Sequence, residues 1–407
     1  MFLNKSQRSK RKKKSKERSE RKKKQSTAAA KKERSQRSQR IRKARAERKE
    51  EAEKNATGTV MRAVSPGTSE GTTSGNGTTG GLPEPTDDKT SFEKKKKKEE
   101  PKQEPKAEPK PEPWTGEEVA KKMVASGLFN TEIINATFKE LPTAKPPADE
   151  CPRFKGNLDK IRAPDYPIPD EKLIKLTHAP DTFICAAKVS VPEFNRTMIV
   201  TQVPDVSQPS NIEDFWRMVF QEEIVSVVIA VMPLECRITL QQLFPISSGT
   251  FANHGKMFLN NKKVESAVAM TAYTLELLPD GCSNSLSTTV YHLHNWRQKR
   301  GLENVRELVT TMEKVVKTNE NTLLMSMNGT GRAGTMLTIF TSMLHINKEK
   351  EIKVKEIVEK LRAERCGLVE NAEQFGTAHK ALALWFKTKS TDEEVQKKVQ
   401  EYAPSLQ

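Results

Sequence analysis

Everything in this chain that is able to build a hydrophobic core lies after Trp114. Before that point, residues 1–50 hold 23 Lys and Arg against 5 Glu and no Asp, including the run RKKKSKERSERKKK from Arg11 to Lys24. That segment carries +18, whereas the whole 407-residue chain carries +17, so the other 357 residues sum to about −1. A segment with so little to bury does not offset the entropy of ordering itself. Residues 64–82 are rich in Gly, Ser and Thr, and 93–113 alternate Lys and Glu with Pro, a flexible linker followed by a stiff one. The composition therefore predicts a disordered basic tail and linker over 1–112, a folded domain over 113–395 and a short C-terminal tail over 396–407.

Several function classes are disfavoured at once. No run of eighteen apolar residues exists to span a membrane, and Met1–Lys5 reaches charge too soon for a secretory signal, which predicts an intracellular protein, cytoplasmic or nuclear. Five cysteines (Cys151, Cys185, Cys236, Cys282 and Cys366) are scattered without CxxC spacing, which suits reduced thiols. Cys236 and Cys366 read as small buried thiols. His292 and His294 share one strand face but have no third ligand in view, so no metal site and no cofactor is expected. The basic run over 1–50 fits a nuclear localisation signal, or sequence-independent contact with nucleic acid or another acidic partner. Without interleaved aromatic residues it offers no base stacking.

Past Trp114, apolar residues recur at helical spacing through Val119, Met123, Ile133, Ile134 and Phe138, predicting two short helices joined at Gly127. Strands are predicted over 182–189, 197–202, 224–232 and 286–293. A helix over 211–222 follows Ser210, with Glu213 three residues on in a capping-box pattern. Further helices are predicted over 305–318, 333–345, 352–365 and 372–386. Strands interleaved with helices argue for an α/β (α+β) fold, a mixed sheet with helices on its faces.

Residues 322–336 carry the chemistry. An apolar strand enters a loop holding Gly329, Gly331 and Gly334 around Arg332, and a helical pattern leaves it. Glycines let backbone N–H groups turn inward, a helix start adds positive potential, and an arginine grips two oxygens of one phosphate. From the residues alone this is either an anion cradle or a plain structural turn.

The loop resembles the phosphate-binding signature of the protein tyrosine phosphatase family, His-Cys-Ser-x-Gly-x-Gly-Arg-Ser/Thr-Gly. Other segments resemble that family in the same order: NIEDFWRMVF at 211–220 its helix between early strands, and CPRFKGN at 151–157 the segment whose aromatic ring clamps phosphotyrosine. HLHNWRQKRG at 292–301 is similar to the mobile Trp-Pro-Asp loop, and RAERCGLVENAEQF at 362–375 to the catalytic-water segment. The resemblance implies a twisted mixed sheet flanked by helices. It places Asn328, Gly329, Thr330, Gly331 and Arg332 around the phosphate, Phe154 against the substrate ring, and Trp296 and Gln374 as loop residues.

It also implies that four catalytic groups are missing. Ser326 stands where the cysteine nucleophile belongs, and an alcohol is far less acidic than a thiol, with Met325 in place of the preceding His. Gln298 replaces the Asp that protonates the leaving oxygen, a loss of about 10²- to 10⁴-fold on its own. Ala333 replaces the hydroxyl that stabilises the leaving thiolate, and Glu370 the glutamine that positions water. The sequence thus points to a catalytically inactive domain that works by binding, to a phosphotyrosine segment or another protein. The competing readings are an active phosphatase with an atypical nucleophile, and a nucleic-acid-associated protein acting through its tail.

Overall fold

A computed structural model describes residues 114–404 apart from Pro180, Leu234 and the side chain of Cys236. The basic tail and linker lie outside the described residues. Two short helices open the domain, α1 (Glu117–Ala125) and α2 (Thr131–Lys139), and Gly127 between them has a φ of +83°, the left-handed turn that joins them. A one-turn helix, α3 (Pro152–Lys155), follows. The sheet then begins with β1 (Ala186–Lys188) and β2 (Met198–Gln202), α4 (Pro209–Gln221), β3 (Ser226–Ala230) and the short α5 (Leu240–Leu243). A hairpin ribbon comes next, β4 (Phe251–His254), β5 (Met257–Ser266), β6 (Met270–Pro279) and β7 (Leu286–Leu293). The chain closes through α6 (Arg306–Thr318), β8 (Thr322–Ser326), α7 (Gly331–Ile346), α8 (Val354–Glu364), α9 (Ala372–Lys389) and α10 (Glu393–Tyr402).

The eight strands form one mixed sheet in the order β1-β2-β8-β3-β7-β6-β5-β4. The central four, β2, β8, β3 and β7, are parallel and the rest antiparallel. Because strand side chains alternate between faces, Val200, Val228 and Leu324 join one core cluster while Ile199, Val227, Leu323 and Met325 join the other. The first cluster lies under α6 to α9, the second under α4 and α5. Helix α7 is buried along nearly its whole length, which explains why its sequence is apolar on every side rather than striped.

The predicted fold class holds, and so do the predicted helices near 306–318, 331–346, 354–364 and 372–389. Three details differ. The β4–β6 ribbon was not anticipated. Ser210 is no N-cap: α4 starts at Pro209, and Glu213 turns instead to Arg217 and to the backbone N–H of Lys256. Beyond residue 395 the chain is helical to Tyr402, whose ring stacks on Phe129 at 5.3 Å.

Two histidines are buried in this core, and burial pushes each imidazole down to about 4. His379 is held by its own helix, with Nδ1 3.0 Å from the carbonyl of Phe375. The unfolded chain takes up these protons near pH 6.5 while the folded chain refuses them, so this stability is whole above 6.5 and drains as pH falls toward 4. Between pH 7 and pH 5, above the range of ordinary carboxylates, each histidine is expected to cost about 2 kcal/mol. Urea denaturation at both pH values tests this. His379→Gln should remove about half of the loss, and an unchanged pH slope would contradict the assignment.

Candidate functional site

The parallel strands end level with one another: Ser326, the last residue of β8, pairs with Gln202 at the end of β2 and with Ala230 at the end of β3. A loop leaving the middle strand of such a set opens at the carboxyl edge of the sheet, where ligands bind in open α/β folds. Residues 327–330 make that loop, and α7 starts at Gly331 with its first N–H groups facing back into it.

Packing accounts for the glycines of the loop and of the first turn of α7. Gly329 has a φ of +67°, and a Cβ there would stand 2.7 Å from the backbone N of Gln202 and 2.9 Å from Nη2 of Arg365. At Gly334 a Cβ would be 2.5 Å from the backbone N of Val369. Gly331 faces softer neighbours, the amide of Gln374 at 2.6 Å and the carboxylate of Glu370 at 2.9 Å.

Arg332 is only 2% exposed, so its charge requires a partner. Sequence reasoning missed that partner. Glu235, in a short turn after β3, takes Nη1 at 2.8 Å and Nη2 at 2.5 Å, a bidentate pair, and Nη1 also donates to the carbonyl of Trp296 at 2.6 Å. Glu235 and Trp296 thus occupy the outer edge of the guanidinium, and none of these bonds uses Nε. The Nε–H and the second Nη2–H form the other edge of the fork, which matches two oxygens of an oxyanion.

Ser326 is 2% exposed, and no carboxylate or imidazole among the described residues is hydrogen-bonded to its hydroxyl. Met325 and Met327 pack into the second core cluster. Thr330 Oγ1 and Gln374 Nε2, which flank Gly331, are buried without a partner among the described residues. Gln374 spends its carbonyl on the N–H of Glu370. Val369, just before Glu370, is a β-branched residue at φ 59°, a strained conformation kept in place by Arg362, which donates to the carbonyls of Leu368 and Val369.

The loop bearing Trp296 and Gln298 lies against the start of α9. Trp296 is fully buried, and its Nε1 donates to the carbonyl of Arg300 at 2.8 Å. Asn371 donates to the carbonyl of Lys299, Glu373 accepts from Arg300 and from the N–H of Gly301, and Thr377 accepts from the N–H of Leu302. Half-buried Gln298 sits in a segment fastened at both ends.

Two expected positions differ: Gln374 lies in the first turn of α9 rather than in a loop, and Phe154 falls away from the site. Phe154 is 1% exposed, in α3 and within the first core cluster, so its ring has no face to offer a ligand. The segment beside the loop is the one after it: Arg162 donates through Nε and Nη2 to the carbonyls of Val203 and Pro204, and its N–H reaches the Gln202 side chain.

The family model described as protein-tyrosine phosphatase matches residues 157–384, starting beyond Phe154. A Caenorhabditis elegans protein named "Putative tyrosine-protein phosphatase" is 66% identical over 294 residues, 72% of this chain and 73% of that protein. A second C. elegans protein of the same description is 23% identical over 254 residues, 60% of this chain and 57% of its own length. The rat tyrosine-protein phosphatase non-receptor type 2 is 26% identical over 259 residues, 61% of each chain.

Proposed function

The chain belongs to the protein-tyrosine phosphatase family, and from that premise we propose that its domain holds phosphorylated tyrosine segments without cleaving them. The observation that carries this reading is the state of Arg332. It is buried and braced on one edge by Glu235, with the opposite edge of its fork uncommitted, beside a serine where the reaction needs a thiolate. The unpartnered Gln374 Nε2 supports it, since a buried donor gains by meeting an anion.

Cleavage has no group to start it. A serine hydroxyl without a hydrogen-bonded base stays protonated near neutral pH, and Gln298 has no proton to give a leaving phenolate. Cys185 reaches the back of the loop through Arg365, but burial pushes its thiol up, against the pull of the Arg365 guanidinium. That is the wrong direction for a nucleophile.

Titration of the full chain with a phosphotyrosine peptide, followed by calorimetry, tests the reading. Arg332→Lys keeps a charge but loses the fork, and should weaken binding about 10- to 100-fold, while Ser326→Ala should bind as well as the native chain. No detectable affinity, or equal affinity in native and Arg332→Lys chains, would overturn it.

A further inference from the structure

Apart from the phosphate loop, the described residues enclose a pocket of about 420 Å³. It lies between the ends of β3, β6 and β7 on one side and the segment 231–243 with α5 on the other. We propose that this pocket is a regulatory site for an uncharged aromatic molecule carrying one hydroxyl or N–H donor, and that its occupancy is read out at Arg332.

The walls set the ligand class. Ile229, Val231, Ile238, Leu240 and Leu243 line it, a surface that penalises a bare charge. The volume falls in the range of small-molecule sites, about 300–1,000 Å³, in which apolar walls carry a few placed polar groups. Thr239, Gln241, Thr271, Tyr273 and His294 also line the pocket, and His292 is the polar residue buried most deeply among them. Its Nε2 lies 2.7 Å from the carbonyl of Val231, and since a carbonyl only accepts, Nε2 carries the proton and Nδ1 is left as an acceptor. Burial keeps that imidazole neutral at physiological pH. An acceptor among apolar walls selects a neutral ring with one donor.

The coupling is a chain of direct contacts. Val231 and Met232 both line the pocket. The N–H of Met232 donates to Glu235 Oε2 at 2.9 Å, the same oxygen that takes Arg332 Nη1 at 2.8 Å. A ligand that shifts the backbone at 231–232 must therefore move the carboxylate that aims the phosphate-binding fork. This second half rests on the reading of Arg332 given above, whereas the pocket itself does not.

The test uses 2-naphthol as probe and 2-naphthoate, its carboxylate analogue, as control, with the full chain labelled at methionine methyl groups. We expect 2-naphthol to shift the Met232 methyl resonance with a Kd on the order of 0.1 mM, and 2-naphthoate to bind at least about tenfold more weakly. Two filling substitutions on different walls, Leu240→Trp and Thr271→Phe, should each abolish the shift. Binding that survives in a folded filled variant, or equal affinity for the carboxylate, overturns the site. For the coupling, saturating 2-naphthol should change orthovanadate affinity at least about threefold in the native chain and leave it unchanged in Leu240→Trp. An unchanged vanadate affinity overturns the coupling. A chain that binds no vanadate at all refutes the phosphate reading and with it the coupling, while the Met232 shift still decides the pocket.

Discussion

Glu235→Ala is expected to destabilise the domain by about 3–5 kcal/mol, one of the largest losses available to a single side chain here. The side chains of Arg332 and Glu235 are 2% and 10% exposed, so removing the carboxylate leaves a nearly buried guanidinium with only the Trp296 carbonyl to accept from it. The cost belongs to the unpaired charge more than to the lost bond. Replacing both partners, Glu235→Leu with Arg332→Met, should therefore recover most of the stability while destroying the phosphate fork. Urea denaturation of the single and double variants measures this directly. A loss under about 1 kcal/mol for Glu235→Ala would mean that the pair is solvated and behaves like a surface ion pair.

Gly334→Ala sets two effects against each other. Gly334 lies in the first turn of α7, and alanine in place of a helical glycine ordinarily gains about 1 kcal/mol. Its Cβ, however, would stand 2.5 Å from the backbone N of Val369 and 2.9 Å from the Cα of Leu368. Backbone on the far side yields only if the 366–371 segment moves, and overpacking of this kind costs about 1–3 kcal/mol. Val369 is already strained at φ 59°, so little give remains. Overpacking wins: with contacts this short on backbone, Gly334→Ala should show a net loss of about 1–2 kcal/mol and Gly334→Val more. Gly376, inside α9, has nothing within 4 Å of a built Cβ, and Gly376→Ala should gain about 0.5–1 kcal/mol. Thermal melts of the pair check the contrast, and two substitutions of the same sign would contradict it.

The helical half of this fold was legible because its signal is local. Leu308, Val309, Met312, Val315 and Val316 keep the 3.6-residue period of α6, and Val354, Ile357, Val358 and Leu361 that of α8. The β4–β6 ribbon escaped notice for a physical reason. A bulge between Asn261 and Lys263 shifts the register in mid-strand, so the alternation of Met257 and Leu259 does not continue, and Asn261 is buried by donating to the carbonyl of Pro245. The β5–β6 turn, Ala267–Ala269, also lacks the Gly, Asn or Asp that usually marks a hairpin.

At the site, the strand, loop and helix around Arg332 were legible from an apolar run, a glycine cluster and a helical pattern in that order, while the anion-binding sense of the loop came only from the family resemblance. What braces these elements was not legible. Glu235 lies 97 residues from Arg332, and a single glutamate in a short turn carries no local mark of its partner. The resemblance puts Phe154 against a ligand ring, whereas Pro152 at the first position of α3 opens a one-turn helix that buries that ring in the core.

As proposed, the loop cradles phosphate while its nucleophile position holds an unassisted alcohol, Ser326. The most direct measurement is turnover of p-nitrophenyl phosphate by the purified full chain beside its Ser326→Ala variant. The two rates should be indistinguishable and no faster than a buffer blank. Steady turnover by the native chain that Ser326→Ala abolishes would contradict the account at its centre.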